Sequence, residues 1–421
     1  MYLYNSLGAD APQLDNTWGC FNKLINYIID GGTTFSVTKI EPYKDKKLRI
    51  YYDKGSLSRC PWSLSTTVTV SGSSNYSGDY FIESIDDINN CIIGYNSNIV
   101  FEGSQIESYA GISIKTKASG IKRIFGGVDD ERTVIQFTDG VQYRIDDRDP
   151  GPLVTPVVKW NDKWWKFARV SFSEYYDSLD STPNRLYPYN PSRPFENIQP
   201  IGPFAGDSFF QYNIANENEY YITQTSYNKT INHYQIFANE YAMYIQIFIG
   251  NMNSKYSRFY VMGSIKNSTD ENGILVSQNY SGAEYTYYNS IGSSYIYSEQ
   301  CTSFLSVNAP NRSNTLLYNN YIKTSAITPY FCGEYGPGSR IPSGRYGVSY
   351  PNSKGEVIFS DVLVFDDVVY GKLHDIKFIN TRITSDIDGY YIIDDELYMT
   401  VRQNFNNSNY DTAYMIKLTR S

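Results

Sequence analysis

The chain has 421 residues, and its 19% charged and 41% apolar residues exclude a largely disordered protein. Its net charge of −8 disfavours a nucleic-acid binder, because such a protein needs a basic face to neutralise phosphates. The short basic run at 44–47 is interpreted as a solvated turn. The 42 Tyr residues favour strands, since the Tyr ring packs on a pleated surface while its hydroxyl reaches water.

The cysteines predict neither a disulfide framework nor a zinc site, because their number is odd and none forms a CxxC pair. Cys20 and Cys91 lie beside apolar residues and are predicted to be buried thiols, which fits assembly in a reducing cytosol. The N-terminus has no basic region and no long apolar run, so neither a signal peptide nor a membrane span is expected. The five cysteines are Cys20, Cys60, Cys91, Cys301 and Cys332.

The first predicted element is a short amphipathic helix, whose apolar residues recur at helical spacing on one face. These residues are Phe21, Leu24, Ile25, Ile28 and Ile29. Asn16 or Thr17 is expected to cap the start of the helix, and Gly31–Gly32 to end it. The preceding Ala11–Pro12 predicts an extended arm. A helix this short needs to pack against a partner in order to persist.

After Gly32 the pattern changes to short alternating runs separated by turn signals, which is typical of strands. The six runs before residue 119 are Thr34–Ile40, Leu48–Tyr52, Thr66–Val70, Tyr80–Ile85, Ile92–Tyr95 and Ile112–Lys117. Together they predict a small β-domain at 33–118.

A second, larger β-rich domain is predicted at 119–421. Asp139–Gly140 lies between two alternating runs and predicts a hairpin, whereas the long loop at 178–203 indicates a functional or interface feature. Later predicted strands include Tyr234–Phe237, Met243–Ile249, Phe259–Ile265, Val362–Phe365, Tyr390–Ile393, Leu397–Val401 and Ala413–Leu418. The predicted class is all-β: an N-terminal arm with a single helix at 1–32, the small β-domain, and a larger sandwich or barrel-like domain.

Candidate catalytic groups are few. His233 and His374 are the only histidines, and no GxSxG motif precedes either, so structural roles are favoured over a Ser–His–Asp triad or a Cys–His pair. Four acidic clusters could serve glycoside hydrolysis or calcium binding. Most of them lie where turns are expected, and adjacent Asp residues are common in turns. None has the DxDxDG spacing of a calcium loop. These clusters are at 129–131, 146–149, 366–367 and 394–396. We therefore predict no catalytic, cofactor-binding or metal-binding residue, and no cofactor.

Adjacent aromatic pairs at Trp164–Trp165 and Tyr175–Tyr176 invite a carbohydrate-binding hypothesis, since sugars stack on aromatic rings. Neighbouring residues of a strand point to opposite faces, so one member of each pair is expected in the core and the other at the surface. Protein interfaces also enrich Tyr and Trp. Core packing plus a protein interface is therefore favoured, with recognition of a host glycan as the alternative.

The N-terminal segment Tyr4–Leu14, followed by Trp18–Gly19 and the helix, resembles the opening of a family of virion structural proteins of tailed bacteriophages. Members of that family open with a Ser–(Met/Leu)–x–Gly–Ala–Pro–x–Leu type segment, which is followed by a helix ending in Asn–Gly or Asp–Gly and then by a β-module. Further stretches are similar to the family in the same order: Val68–Gly72, Asn75–Gly78, Gly120–Phe125, Arg144–Asp147, Ala168–Val170, Val362–Val364 and Gly371–Leu373.

The resemblance implies a non-enzymatic structural component of a virion, in the tail, baseplate or neck, assembled in the cytoplasm of the bacterial host. The expected partners are other virion proteins and further copies of the chain, in a homo-oligomer or symmetric array. The arm and helix are expected to dock on a neighbouring subunit, as an apolar helix face does when it lacks an internal partner, and removal of residues 1–17 is expected to leave the rest folded. The alternatives are a receptor-binding protein that recognises host surface glycan and a polysaccharide depolymerase.

Overall fold

The computed structural model describes residues 1–14, 19–100, 108–138, 142–147, 159–160, 163–164, 166–173, 176–180, 207–213, 233–248, 257–264, 272–279, 300–306, 327–329, 359–365, 369–380, 389–403 and 412–420. Within these ranges the chain forms 25 strands, one α-helix and a single 3-10 turn. The predicted all-β class with one helix is therefore confirmed. In the same ranges, no helix combines the length and the hydropathy that crossing a membrane requires.

The helix lies near the N-terminus, between the first two strands. The first half of the chain contains β1 (Tyr2–Asn5), α1 (Cys20–Asp30), β2 (Phe35–Lys44), β3 (Lys47–Tyr52), β4 (Thr67–Ser71), β5 (Gly78–Asp86), β6 (Cys91–Tyr95), β7 (Ser113–Thr116), β8 (Lys122–Gly126), the 3-10 turn (Val128–Asp130), β9 (Arg132–Gln136), β10 (Gln142–Asp146), β11 (Lys159–Trp160), β12 (Lys163–Trp164), β13 (Lys166–Ser173) and β14 (Asp207–Asn213). The second half contains β15 (His233–Ala238), β16 (Ala242–Phe248), β17 (Ser257–Ser264), β18 (Asn272–Asn279), β19 (Gln300–Ser306), β20 (Ile327–Pro329), β21 (Phe359–Phe365), β22 (Val369–Asn380), β23 (Tyr390–Ile393), β24 (Glu396–Gln403) and β25 (Thr412–Leu418).

Strands β2 to β7 close into a barrel in the order β2-β3-β6-β5-β4-β7. Because side chains alternate along each strand, one apolar set fills the barrel interior. This set includes Leu48, Ile50, Val68, Val70, Tyr80, Ile82, Ile92 and Ile114. The barrel strands run from residue 35 to residue 116, inside the range predicted for the small β-domain, and the division of the chain into three domains stays a prediction.

The six-stranded central sheet has the order β1-β15-β16-β17-β18-β19, and its strands β1, β15 and β16 contribute side chains to apolar clusters on both faces. Its strand β16 is buried along all seven residues, which requires packing on both sides of the strand. On one face, apolar residues of the central sheet pack with residues of α1 and of the five-stranded sheet β14-β13-β10-β9-β8. We name this cluster the helix core. On the other face, apolar residues of the central sheet pack with residues of the C-terminal sheet β20-β21-β22-β25-β24-β23 and with Phe81 of the barrel. We name this second cluster the C-terminal core.

The helix has the predicted apolar face, but this face is covered from within the chain. Phe21, Leu24, Ile25 and Ile28 are completely buried in the helix core. Burial of each such side chain contributes roughly 1.5–3 kcal/mol. The docking hypothesis assumed that this face lacks an internal partner, and that premise is wrong.

The predicted N-terminal arm begins with a strand. β1 pairs antiparallel with β15, with Tyr2 opposite Ala238. Tyr4 lies in the helix core, whereas Met1 and Leu3 lie in the C-terminal core. The first five residues therefore belong to the packed fold, and we expect their removal to destabilise it rather than to leave a soluble remainder.

The cap of α1 comes from a distant residue. The helix begins at Cys20 after Gly19, which has a left-handed conformation and forms no side-chain cap. The predicted caps Asn16 and Thr17 lie outside the described residues. Instead, Asp147 Oδ2 accepts hydrogen bonds from the backbone N–H groups of Phe21 at 2.8 Å and Asn22 at 3.3 Å. A carboxylate is favourable there, because the unpaired N–H groups carry partial positive charge.

Replacement of Asp147 tests this cap. Asp147→Ala should lower the free energy of unfolding by about 2 kcal/mol, because two buried helical N–H groups lose a charged acceptor. Urea denaturation monitored by circular dichroism measures the change. The control is Asp129→Asn, at an exposed carboxylate in the 3-10 turn. Equal stability of Asp147→Ala and the wild type would show that the helix is capped in another way.

The amino group of Met1 is buried between the first strand and the end of β25. It donates hydrogen bonds to the Lys417 carbonyl oxygen at 2.9 Å and to Thr419 Oγ1 at 3.0 Å, and Thr419 N donates to the Met1 carbonyl oxygen. Burial lowers the pKa of the amine from 8.0 to about 6, partly offset by the negative charge of Asp375. The folded state therefore favours the neutral amine.

This lowered pKa predicts that stability falls as pH decreases from 8 to 6. In that window the unfolded chain binds a proton that the folded chain does not bind, so unfolding is favoured. The contribution of the amine is about 2–3 kcal/mol, measured by urea denaturation across the window. The control is the chain with an acetylated N-terminus, which has no amine to titrate. Identical pH slopes for the two chains would contradict the assignment.

Candidate functional site

His233 lies at the start of β15 and contacts Ser6, which follows β1. Ser6 Oγ is 2.8 Å from His233 Nδ1 and accepts a hydrogen bond from Tyr234 N at 3.2 Å. Burial lowers the pKa of His233, and the positive charge of Arg59 lowers it further. The imidazole is therefore neutral at neutral pH and could accept a proton.

This Ser–His pair contains two of the three groups that a nucleophilic triad needs. Within the described part of the chain, His233 has no carboxylate partner to orient its ring. Ser6 also donates its backbone N–H to the Tyr234 carbonyl oxygen, so both its backbone and its hydroxyl hold the end of β1 against β15. This arrangement indicates a structural pair.

His374 lies on β22 and is buried in a separate place. Its Nε2 is 3.1 Å from Ser264 Oγ, and its ring stacks on Tyr241 with centroids 4.9 Å apart. The Tyr244 hydroxyl donates to the His374 carbonyl oxygen. These contacts join β22 to the central sheet. His233 contacts Ser6 instead, so the two histidines have different partners and do not form one site.

Three of the acidic clusters lie at turns or at a helix terminus. Asp129 and Asp130 belong to the 3-10 turn, and Glu131 ends it. Asp147 caps α1, as described above. Asp394 and Asp395 form the two-residue turn between β23 and β24, both with positive φ, as in a type I′ hairpin. The cluster at 366–367 lies outside the described residues. Within the described ranges, no group of three or more His, Cys, Asp or Glu residues is placed to hold a metal ion.

The described thiols are buried. Cys20 and Cys91 are buried as predicted, and so is Cys60. Burial raises the pKa of the Cys60 thiol, and raises that of Cys91 to about 11. Both thiols are therefore protonated at neutral pH and are poor nucleophiles. The side chains of Cys301 and Cys332 lie outside the described residues.

The aromatic pairs proposed for glycan stacking are only partly described. The side chains of Trp164, Trp165 and Tyr175 lie outside the described residues. Tyr176 is buried, with the Arg144 guanidinium 5.1 Å from its ring centroid. Tyr176 is therefore the core member of its pair and offers no exposed stacking face.

An exposed aromatic ring lies instead on the β2–β3 hairpin, which includes the basic run at 44–47, with residues 45–46 forming the turn. Tyr43 is 40% exposed, with Lys44 Nζ 5.5 Å and Arg49 Cζ 4.9 Å from its ring centroid. Cations outnumber carboxylates between residues 39 and 49. We name Tyr43, Lys44, Lys46 and Arg49 the basic hairpin.

A second exposed surface, which we name the edge patch, consists of Leu64, Tyr390 and Ile392. Their exposed fractions are 53%, 49% and 68%. The Ser65 hydroxyl donates to the Tyr390 hydroxyl at 2.6 Å, which joins the loop after Trp62 to β23. The sequence predicted strand 390–393 correctly but gave no signal that this strand lies at the edge of a sheet.

Comparison of the chain with protein-family models, curated proteins and solved structures finds no match. The likeness to virion structural proteins therefore depends on the sequence motifs alone.

The Ser6–His233 contact is predicted to be structural. Ser6→Ala should lower the free energy of unfolding by about 1 kcal/mol, because the Tyr234 N–H loses its hydroxyl acceptor. The wild type should not react with a fluorophosphonate, a reagent that labels activated serines. Urea denaturation and intact-mass spectrometry measure the two outcomes, with Ser58→Ala at an exposed serine as the control. Labelling of Ser6 that disappears in His233→Asn would identify a nucleophile instead.

Proposed function

We propose that this chain is a non-enzymatic structural component of a tailed-bacteriophage virion, in the tail, baseplate or neck, that acts by association between subunits. The observation that carries the proposal is the edge patch, where apolar side chains are exposed at the margin of a sheet. An exposed apolar surface, here formed by Tyr390 and Ile392 on one face of β23 with Leu64 beside the Ser65–Tyr390 hydrogen bond, is typical of protein–protein contacts. The ordered motifs of the sequence support the bacteriophage origin.

The contacts made by the potentially reactive side chains also support a structural role. Asp147 caps a helix, His374 joins two sheets, and Ser6 and His233 hold the first strand. Each of these groups is occupied by contacts that stabilise the fold. Assembly in the cytoplasm of the bacterial host is consistent with the buried, protonated thiols.

A receptor-binding role is the second candidate, and the basic hairpin is the observation that favours it. An exposed Tyr43 beside Lys44 and Arg49 could stack on a sugar ring and pair with a sugar carboxylate. Binding to a glycan array that is lost in Tyr43→Ala, without loss of the chain from particles, would support this role.

Mass spectrometry of purified phage particles tests the main proposal. The chain should remain with the particles after density-gradient purification, at a constant copy number relative to the major capsid protein. The host-cell lysate supplies the control, because an abundant host protein should disappear across the same gradient. Absence of the chain from purified particles, or turnover of a host polysaccharide by the isolated chain, would end the proposal.

A further inference from the structure

The apolar face of the C-terminal sheet continues past the core to the last strand. Residues directly opposite each other on antiparallel strands point to the same face. On β25 the residues of this face are buried, on β24 they are partly buried, and on β23 they are exposed. Two cross-strand rows form this gradient, Leu418–Leu397–Ile392 and Ile416–Met399–Tyr390. Met1, Leu3 and Phe81 pack in the C-terminal core. The edge patch lies outside this cluster and remains exposed.

The edge strand β23 is short, and it contains no charge, proline or bulge that would block a neighbour. β23 is last in its sheet, and no strand in the described ranges pairs with its outer side. Natural edge strands are commonly protected by charges, proline or a bulge. The four residues Tyr390–Ile393 contain no charge and no proline, and their pairing with β24 is regular. This edge is therefore suited to contact another protein surface.

Negative charge beside the edge patch indicates which kind of partner surface would bind there. Asp394 and Asp395 follow Ile393 directly and are both exposed. A matching surface should therefore present cations next to an apolar or aromatic group. Buried apolar contacts with complementary charges at the rim are the usual composition of a specific interface.

The chain itself has such a surface in the basic hairpin. Tyr43 supplies the exposed ring, and Lys44 and Lys46 lie at the turn. The neighbouring Glu41 pairs with Lys39, and the exposed Asp45 at the turn is outnumbered by Lys44, Lys46 and Arg49. The hairpin is thus a basic surface in a chain whose net charge is −8.

We propose that the edge patch of one copy docks on the basic hairpin of a second copy, with Ile392 against Tyr43 and with Asp394 and Asp395 facing Lys44 and Lys46. The inference rests on the proposed function and names the contact that would carry it. Because the two surfaces differ, the contact is heterologous and generates a ring or an open filament. Either product is a repeated assembly of the kind that a particle component forms.

Analytical ultracentrifugation of the full chain tests this contact over a range of concentrations. The wild type should self-associate, and about 0.5 M salt should weaken the association because it screens exposed charges. Asp394→Lys with Asp395→Lys should raise the dissociation constant about tenfold or more, and so should Lys44→Glu with Lys46→Asp. Lys46 already adopts a positive φ at the β2–β3 turn, and thermal unfolding of the variant checks that lysine is accepted at positions 394 and 395.

Mixing the two charge-reversed variants gives the sharpest test. Each alone carries like charges on both surfaces and should stay monomeric. In the mixture, every surface again has an oppositely charged partner, so association should return. Ile392→Ser should also weaken association about tenfold. The controls are Ile88→Ser, at a 93% exposed isoleucine on another hairpin turn, and Lys122→Glu, at an exposed lysine, neither of which should change association.

Several results would overturn the inference. A monomeric wild type at every concentration would do so, as would charge reversals without effect or a mixture that fails to associate. Sensitivity to Ile392→Ser but not to charge would indicate symmetric pairing of two β23 strands instead. A monomeric chain that is nevertheless present in purified particles would overturn this contact and leave the proposed function standing. Thermal unfolding of each variant confirms that it is folded.

Discussion

Burial of strands β15 and β16 of the central sheet on both faces is the constraint on which the rest of the structure depends. β16 is buried along its whole length, so both of its faces need a covering layer. The helix and the five-stranded sheet supply one layer, and the C-terminal sheet supplies the other. β1 adds side chains to both cores, which places residues 1–5 inside the packed fold.

Buried polar groups at the layer boundaries join these layers to one another. The Tyr143 hydroxyl donates to the Gly263 carbonyl oxygen at 2.6 Å and joins β10 to β17 across the helix core. Asp147 joins the same region to the start of α1, and His374 joins β22 to β17. Buried polar groups are costly when unpaired, so these contacts stabilise one arrangement of the layers. Surfaces outside the cores are then the places where a partner can bind.

Local patterns in the sequence predicted the helix and many strands, because periodicity reports which face is buried. Phe21 to Ile29 predicted α1, and Tyr390–Ile393 predicted β23. The cap of α1 could not be predicted, because Asp147 lies 126 residues after Phe21. β1 was missed because a strand buried on both faces shows no alternation of apolar and polar residues. The exposed position of β23 depends on strand order, which local patterns do not contain.

Backbone hydrogen exchange of the isolated chain, read by mass spectrometry, tests the central claim that the N-terminal strand is part of the core. The amides of β1 that bond to β15 should exchange slowly, at rates similar to those of β16, because both strands open only when the central sheet unfolds. Exchange of residues 2–5 at the rate of an unstructured peptide, while β16 stays protected, would contradict this claim. That result would restore a free N-terminal arm as the candidate for contact with a neighbouring subunit.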